Sequence, residues 1–175
     1  MARRVAAGEP TPPQWVGLKF FNVYGPNEYH KGPMQSVVAQ KHPLVASGQP
    51  VTLFTSHHPD YPDGGQLRDF VWVDDCVDVM LWLLEHHAVN GLFNVGSGRA
   101  RSFADLARAM AAAAKVPSRI EFMPMPEQIR PNYQYFTEAR MDRLRAAGYV
   151  KPSTPLEEGV RQYVEGYLAR PDRYR

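Results

Sequence analysis

At 175 residues, 44% hydrophobic and 22% charged, with a net charge of +2, the chain has the make-up of a globular domain with a real core. Its basic residues are scattered, which argues against nucleic acid or an anionic membrane surface as a partner. Cys76 is the single cysteine, so an internal disulfide framework is excluded and a reducing, cytoplasmic setting is expected. The opening MARRVAAGEP lacks the apolar core of a signal peptide, and no window reaches membrane-spanning length.

Residues 2–7 read as the end of a helix, released by Gly8 and then by Pro10, Pro12 and Pro13. Trp15 to Val23 reads as one buried strand. From Met34 to Ser47 the apolar positions Met34, Val37, Val38, Leu44 and Val45 predict a helix interrupted at Pro43. Val51 to Phe54 predicts a short strand, Thr55 to Leu67 a polar loop, and Asp69 to Val73 an extended segment. Asp75 is the expected N-cap of a helix whose apolar face is Val77, Met80, Leu81 and Leu84.

Leu92 to Val95 predicts another buried strand, and Ser102 with Asp105 a capping box that opens an alanine-rich helix reaching Lys115. Ile120 to Met123 predicts a strand. Helices follow over Thr137–Ala147 and Thr154–Ala169, the second with Thr154, Pro155 and Glu157 as cap, first-turn proline and capping acid. Strands alternating with helices predict an α/β fold. Leu18–Val23 and Leu92–Val95 read as edge or late strands of a larger sheet, because a complete doubly wound sheet needs more βα units than fit here.

Three clusters invite chemistry and have plainer readings. Gly96-Ser97-Gly98 sits between strand and helix, but Arg101 stands where a dinucleotide fingerprint needs its third glycine, so a structural turn is expected. His57, His58 and Asp60 lack a second ligand cluster, and no metal is expected. His86 and His87 at a helix end are accounted for by the helix dipole.

The stretch Phe20-Phe21-Asn22-Val23-Tyr24-Gly25-Pro26, followed by His30-Lys31-Gly32, is an apolar run that stops at a Gly-Pro turn and delivers polar groups to a loop. Together with Arg68-Asp69-Phe70 and Tyr133-Gln134-Tyr135-Phe136-Thr137, it resembles the extended short-chain dehydrogenase/reductase superfamily. The most similar member family is that of the ADP-glyceromanno-heptose 6-epimerases. The resemblance runs from about Trp15 to Ala169. Pro33 after the HKG triplet and Gln40, where relatives supply a histidine, depart from the pattern.

The resemblance implies late strands and helices of a Rossmann-like sheet (15–24 and 92–95) plus a small α+β substrate-binding lobe. The amino-terminal dinucleotide-binding half is expected to be absent from residues 1–175. The chain has no Gly-x-x-Gly-x-x-Gly and no Tyr-x-x-x-Lys: Tyr29 meets Pro33, Tyr61 meets Gly65 and Tyr133 meets Thr137. A carboxyl-terminal part of an epimerase, inactive alone, is therefore expected. The implied reaction inverts a side-chain carbinol of ADP-heptose by hydride removal and return through NADP, in the synthesis of lipopolysaccharide core heptose. The cofactor would be held mainly by the absent half, and the full-length enzyme would be a homo-oligomer.

The resemblance further implies Lys31 as one acid/base group, Val23 at the cofactor, and Asn22, Phe54, Thr55, Ser56, His57, Arg68 and Tyr133 at the substrate. A lysine in that role needs its ordinary pKa of about 10.4 lowered by roughly three units, which a buried pocket could supply. Arg68 would fork onto a diphosphate. Read without the resemblance, Lys31 is a surface or phosphate-positioning lysine, Arg68 a surface partner of Asp69, and Tyr133 a core aromatic, though Tyr135 and Phe136 fit the core better. Another nucleotide-sugar epimerase or dehydratase, or a non-catalytic sugar-nucleotide-binding fragment, are the rival readings.

Overall fold

The computed structural model describes residues 1–172. A short helix α1 (Ala2–Ala6) leads through the proline-rich segment to β1 (Val16–Phe20) and β2 (Asn22–Tyr24). The apolar run that reads as one strand is thus two. Phe21 is the step between them: its amide still bonds Val95 O at 3.0 Å, while the next amide, of Asn22, bonds Asp69 O at 3.0 Å. The backbone changes partner strand at that residue.

A 3₁₀ segment, Tyr29–Met34, precedes α2 (Val37–Ala46), which Ser36 caps by accepting from Ala39 N at 3.3 Å. Pro43 does not interrupt α2. It lies on the exposed side, where the loss of one intrahelical donor is tolerated. Next come β3 (Val51–Phe54), the two-residue β4 (Leu67–Arg68) and β5 (Phe70–Trp72), and then α3 (Val73–Glu85) and β6 (Gly91–Val95). The chain closes with β7 (Arg101–Ser102), α4 (Phe103–Ala113), β8 (Ile120–Met123), α5 (Asp142–Ala146) and α6 (Leu156–Tyr163). A π-helical turn, Val164–Leu168, continues directly from α6.

Strands pair in twos: β1–β6, β2–β5 and β3–β8 are parallel and β4–β7 antiparallel. One apolar core gathers α2, α4 and α6 around Tyr24, Leu53, Trp72, Met110 and Tyr163. The other packs α3 and α5 on the β1–β6 pair through Val71, Val79, Phe93, Val95 and Leu144.

Several local expectations are corrected. Asp75 is not the cap of α3 but a buried first-turn residue that accepts from Thr154 N and Thr154 Oγ1, both at 2.8 Å. Thr154 is thereby taken from its expected capping role at α6, and Glu157 binds Arg101 as well as its own first-turn amide. The buried face of α3 is Asp75, Cys76, Val79 and Leu83, whereas Val77, Met80, Leu81 and Leu84 are exposed. Residues 137–141 are not helical, because backbone groups of 135–139 bond to Leu67 and Asp69 across the molecule. The capping box of α4 is present in both directions.

Candidate functional site

The site is built where β4 and β5 meet the segment 133–137. Leu67 N donates to Tyr135 O at 2.8 Å and Leu67 O accepts from Thr137 N at 3.2 Å, so Tyr133 and Tyr135 are laid alongside Arg68. The Arg68 guanidinium lies 5.7 Å from the Phe103 ring centre and 5.2 Å from that of Tyr133, and its Nη1 donates to Leu67 O at 2.8 Å. It is half-buried and forms no carboxylate ion pair among the described residues. Burial lowers its pKa, opposed by its proximity to Tyr133. The partly desolvated cation thus lies against two ring faces with no carboxylate partner among the described residues.

Asp69, the neighbour that a surface reading pairs with Arg68, points the other way and is fully buried. Its carboxylate accepts from Ser97 N at 2.6 Å, Ser97 Oγ at 2.7 Å, Gly98 N at 2.9 Å and Ala139 N at 2.9 Å. The Gly96-Ser97-Gly98 turn is therefore an anion nest already filled from within. A Cβ on Gly96 would sit 2.7 Å from Asp69 Oδ2, so the glycine is required by this contact. The donors of this turn are thus spent on Asp69.

Phe54, at the end of β3, meets Tyr133 edge-on at 6.4 Å, and Tyr133 meets Tyr135 at 5.5 Å. Tyr133 separates two clefts. One, of about 350 Å³, is lined by Phe54, Gln66, Phe103 and Tyr133 together with Gln40 and Lys41 of α2. The other, of about 450 Å³, contains Arg68, Asn132, Tyr133 and Gln134. Phe54 and Arg68 thus both lie against Tyr133. Tyr133 and Tyr135 are both half-buried and Phe136 is 51% exposed, so Phe136 is not a core residue.

Thr55, Ser56 and His57 continue from Phe54 into the loop. Ser56 N donates to Asp63 Oδ1 at 2.6 Å and Ser56 Oγ to His58 O at 3.0 Å, while His57 N donates to the Tyr135 hydroxyl at 2.8 Å. Their polar groups thus shape the loop and tie it to the aromatic wall. Gln66, which sequence reasoning passed over, is 1% exposed and donates to Phe54 O and Thr55 O at 3.3 and 3.4 Å. A polar residue ending a polar loop carries no sequence signal of burial.

Asn22 stands opposite Phe70 in the β2–β5 register, with its amide on Asp69 O, one residue from Arg68. Its side chain is exposed, and Val23 is half-buried against the α3 core. Lys31 lies exposed on the 3₁₀ segment, not in a buried pocket. Residues of this chain alone do not enclose it. Among the described residues no group of three or more His, Cys, Asp or Glu is placed to hold a metal, and no helix is long and apolar enough to cross a membrane.

Comparison with known proteins shows what the chain is similar to. The chain is 54% identical over 159 residues to the ADP-L-glycero-D-manno-heptose-6-epimerase of Nitratidesulfovibrio vulgaris (strain DP4), an alignment covering 91% of this chain and 49% of that protein. It is 47% identical to that of Fusobacterium nucleatum, over 93% of this chain and 51% of the relative. The chain therefore spans about half the length of these curated relatives. Among solved structures, the Helicobacter pylori ADP-L-glycero-D-manno-heptose-6-epimerase superposes with a TM-score of 0.69 at 26% identity, over 87% of this chain and 44% of that one. The Thermus thermophilus UDP-glucose 4-epimerase in complex with NAD gives 0.71 at 29%, over 94% and 48%. Residues 9–96 match the family described as the NAD dependent epimerase/dehydratase family, and the chain, with its α/β architecture, belongs to that family.

Proposed function

We propose that this chain is the carboxyl-terminal, substrate-binding part of an ADP-glyceromanno-heptose 6-epimerase that uses NADP. The observation that carries the reading is Arg68: a half-buried guanidinium, free of carboxylate partners among the described residues, at an aromatic-walled cleft. That combination fits a nucleoside diphosphate, whose phosphate oxygens accept a planar fork and whose base packs on ring faces. Identity to heptose epimerases of 46–54% supports heptose over other sugars.

In this reading Arg68 holds the diphosphate. Phe54, Tyr133 and the Thr55–His57 rim hold the nucleotide side, and Asn22 the sugar side. Lys31 moves a proton at the substrate hydroxyl oxygen in one of the two orientations that inversion requires. The second acid/base group is not in this chain. Exposed here, Lys31 acquires the environment an acid/base lysine needs only when substrate and the rest of the enzyme cover it. The nicotinamide cofactor, when bound, supplies the hydride acceptor and donor. The fit of this chain to it is partial: the Gly96-Ser97-Gly98 turn is filled by Asp69, so in this reading the cofactor phosphates are held mainly by the other half and Val23 flanks the cofactor.

The test joins this chain to the amino-terminal half of a full-length relative, or uses the full-length parent, and incubates it with the D-glycero form of ADP-heptose. Formation of the L-glycero isomer is the expected outcome. Turnover of UDP-galactose with no action on ADP-heptose would show a different sugar specificity.

A further inference from the structure

The segment that carries Lys31 is closed at both ends on one buried carboxylate, and we propose that Glu28 is the positioning residue of that lysine. The inference rests on the acid/base reading of Lys31 given above. Glu28 is 2% exposed. Its Oε2 accepts from Ser36 N at 2.6 Å, and its Oε1 accepts from Ser36 Oγ at 2.6 Å and from the Tyr163 hydroxyl at 3.0 Å. Glu28 and Ser36 are eight residues apart, so these bonds pin the start of the Lys31 segment to its end.

Inside the pinned loop the backbone is fixed further. Lys31 N donates to Glu28 O at 3.0 Å, and Gln35 Nε2 donates to Tyr29 O at 3.1 Å. From α2, Gln40 Nε2 reaches Pro33 O at 3.1 Å and Gln35 O at 2.6 Å. Gly32, next to Lys31, takes φ 53 and ψ −123, and nothing lies within 4 Å of where its Cβ would be. The glycine is thus demanded by the backbone and not by crowding. A backbone held in a sparsely populated conformation persists only where its surroundings over-determine it, and such places cluster at functional sites.

The second anchor comes from far along the chain. Tyr163 is the last residue of α6, immediately before the π-helical turn, and π turns are enriched at functional positions. Burial and the charge of Glu28 raise the Tyr163 pKa far above the ordinary phenol value, so it stays a donor at every working pH. A carboxylate is the group this arrangement requires: a backbone N–H and two hydroxyls converge on it, and a glutamine would turn an N–H₂ toward them. The clamp therefore delivers an exposed, flexible lysine from a rigid base.

Glu28→Gln and Ser36→Ala separate positioning from simple support of the fold. In the full-length enzyme, each is expected to lower kcat, Glu28→Gln by about 10²-fold, with KM for ADP-heptose unchanged, because displacement of a reacting group slows chemistry without weakening remote binding. In the 175-residue chain, Glu28→Gln should speed amide exchange of residues 29–35 while exchange elsewhere is unaltered. Ser36→Ala keeps the Ser36 N bond, so it decides the matter should Glu28→Gln fail to fold. If both variants keep wild-type kcat while Lys31→Met abolishes epimerisation, the clamp is not a positioning device and the acid/base reading stands. If Lys31→Met itself stays active, both are overturned.

Discussion

Replacing Arg68 with lysine keeps one positive charge at the cleft but removes the planar fork and the stacking on Phe103 and Tyr133. In the full-length enzyme this is expected to raise KM for the nucleotide sugar about tenfold and to change kcat far less, since the lost contact is made equally in ground and transition states. An unchanged KM would remove the diphosphate role. The result turns on a feature of local geometry: Arg68 and Asp69 are adjacent on an extended backbone, so one side chain faces the cleft while the other enters the interior. The motif reads as an ion pair in sequence, yet in space the two charges answer different partners.

At the scale of elements, Asp69 joins β4–β5 to the turn after β6 and to residue 139. Asp69→Ala leaves Ser97 N, Gly98 N and Ala139 N without their acceptor. Each buried orphan donor costs about 1–3 kcal/mol, so a loss of about 3 kcal/mol or more is expected in urea unfolding. A loss within 1 kcal/mol would mean that water or a relaxed turn replaces the carboxylate. Between β7 and α6, Arg101 Nη2 donates to Glu157 Oε1 at 2.6 Å and Nη1 to Oε2 at 3.3 Å. This bonding holds the Glu157 carboxyl below its ordinary 4.5. A carboxyl depressed in the folded state contributes stability above the unfolded pKa, and that contribution fades as pH falls through the folded value. Glu157→Gln should therefore lower the unfolding midpoint slightly at neutral pH, as for exposed pairs in general, and match wild type in acid well below 4.5. A difference that persists undiminished in acid would exclude the ion pair as its cause.

These elements also show what was legible in the sequence. β3, β8 and the Ser102–Asp105 box of α4 were readable because their signals are local and nothing distant competes for their groups. Thr154 and Asp75 carry equally good capping signals, but 79 positions apart they satisfy each other, and local reasoning had no access to that pairing. Segment 137–141 departs from the helix its sequence predicts for the same reason. Of the candidate site, Arg68 and Tyr133 stand out through their motifs, while Gln66, Asp69 and Glu28 are distinguished by burial, which a polar residue type conceals.

At the scale of the molecule, the misread face of α3 is informative. Leu81 and Leu84 are 53% and 64% exposed, and across the parallel β1–β6 pair Phe20 and Leu92 are 43% and 56% exposed. Parallel sheets are found with both faces covered, and a connection between parallel strands places its helix on the sheet with one hand. Leu92 alternates with the core-facing Phe93 and Val95 of β6, so it is turned from α3, and the exposed apolar residues form separate patches rather than one surface. Leu81→Glu with Leu84→Lys should leave the melting temperature of the 175-residue chain nearly unchanged, because neither residue is buried within it, while reducing self-association in light scattering. A large loss of stability would instead show that these leucines pack inside this chain.

Those uncovered patches bear on how the proposed activity depends on dilution. Two halves on one polypeptide meet at an effective concentration on the order of millimolar, whatever the bulk concentration. The same halves supplied as separate chains must find one another at their solution concentration. Mixing this chain with the amino-terminal half of a relative should therefore give turnover per molecule that falls steeply on dilution, whereas the joined protein keeps its specific activity. On the proposed reading, epimerisation by separate halves is a bimolecular property.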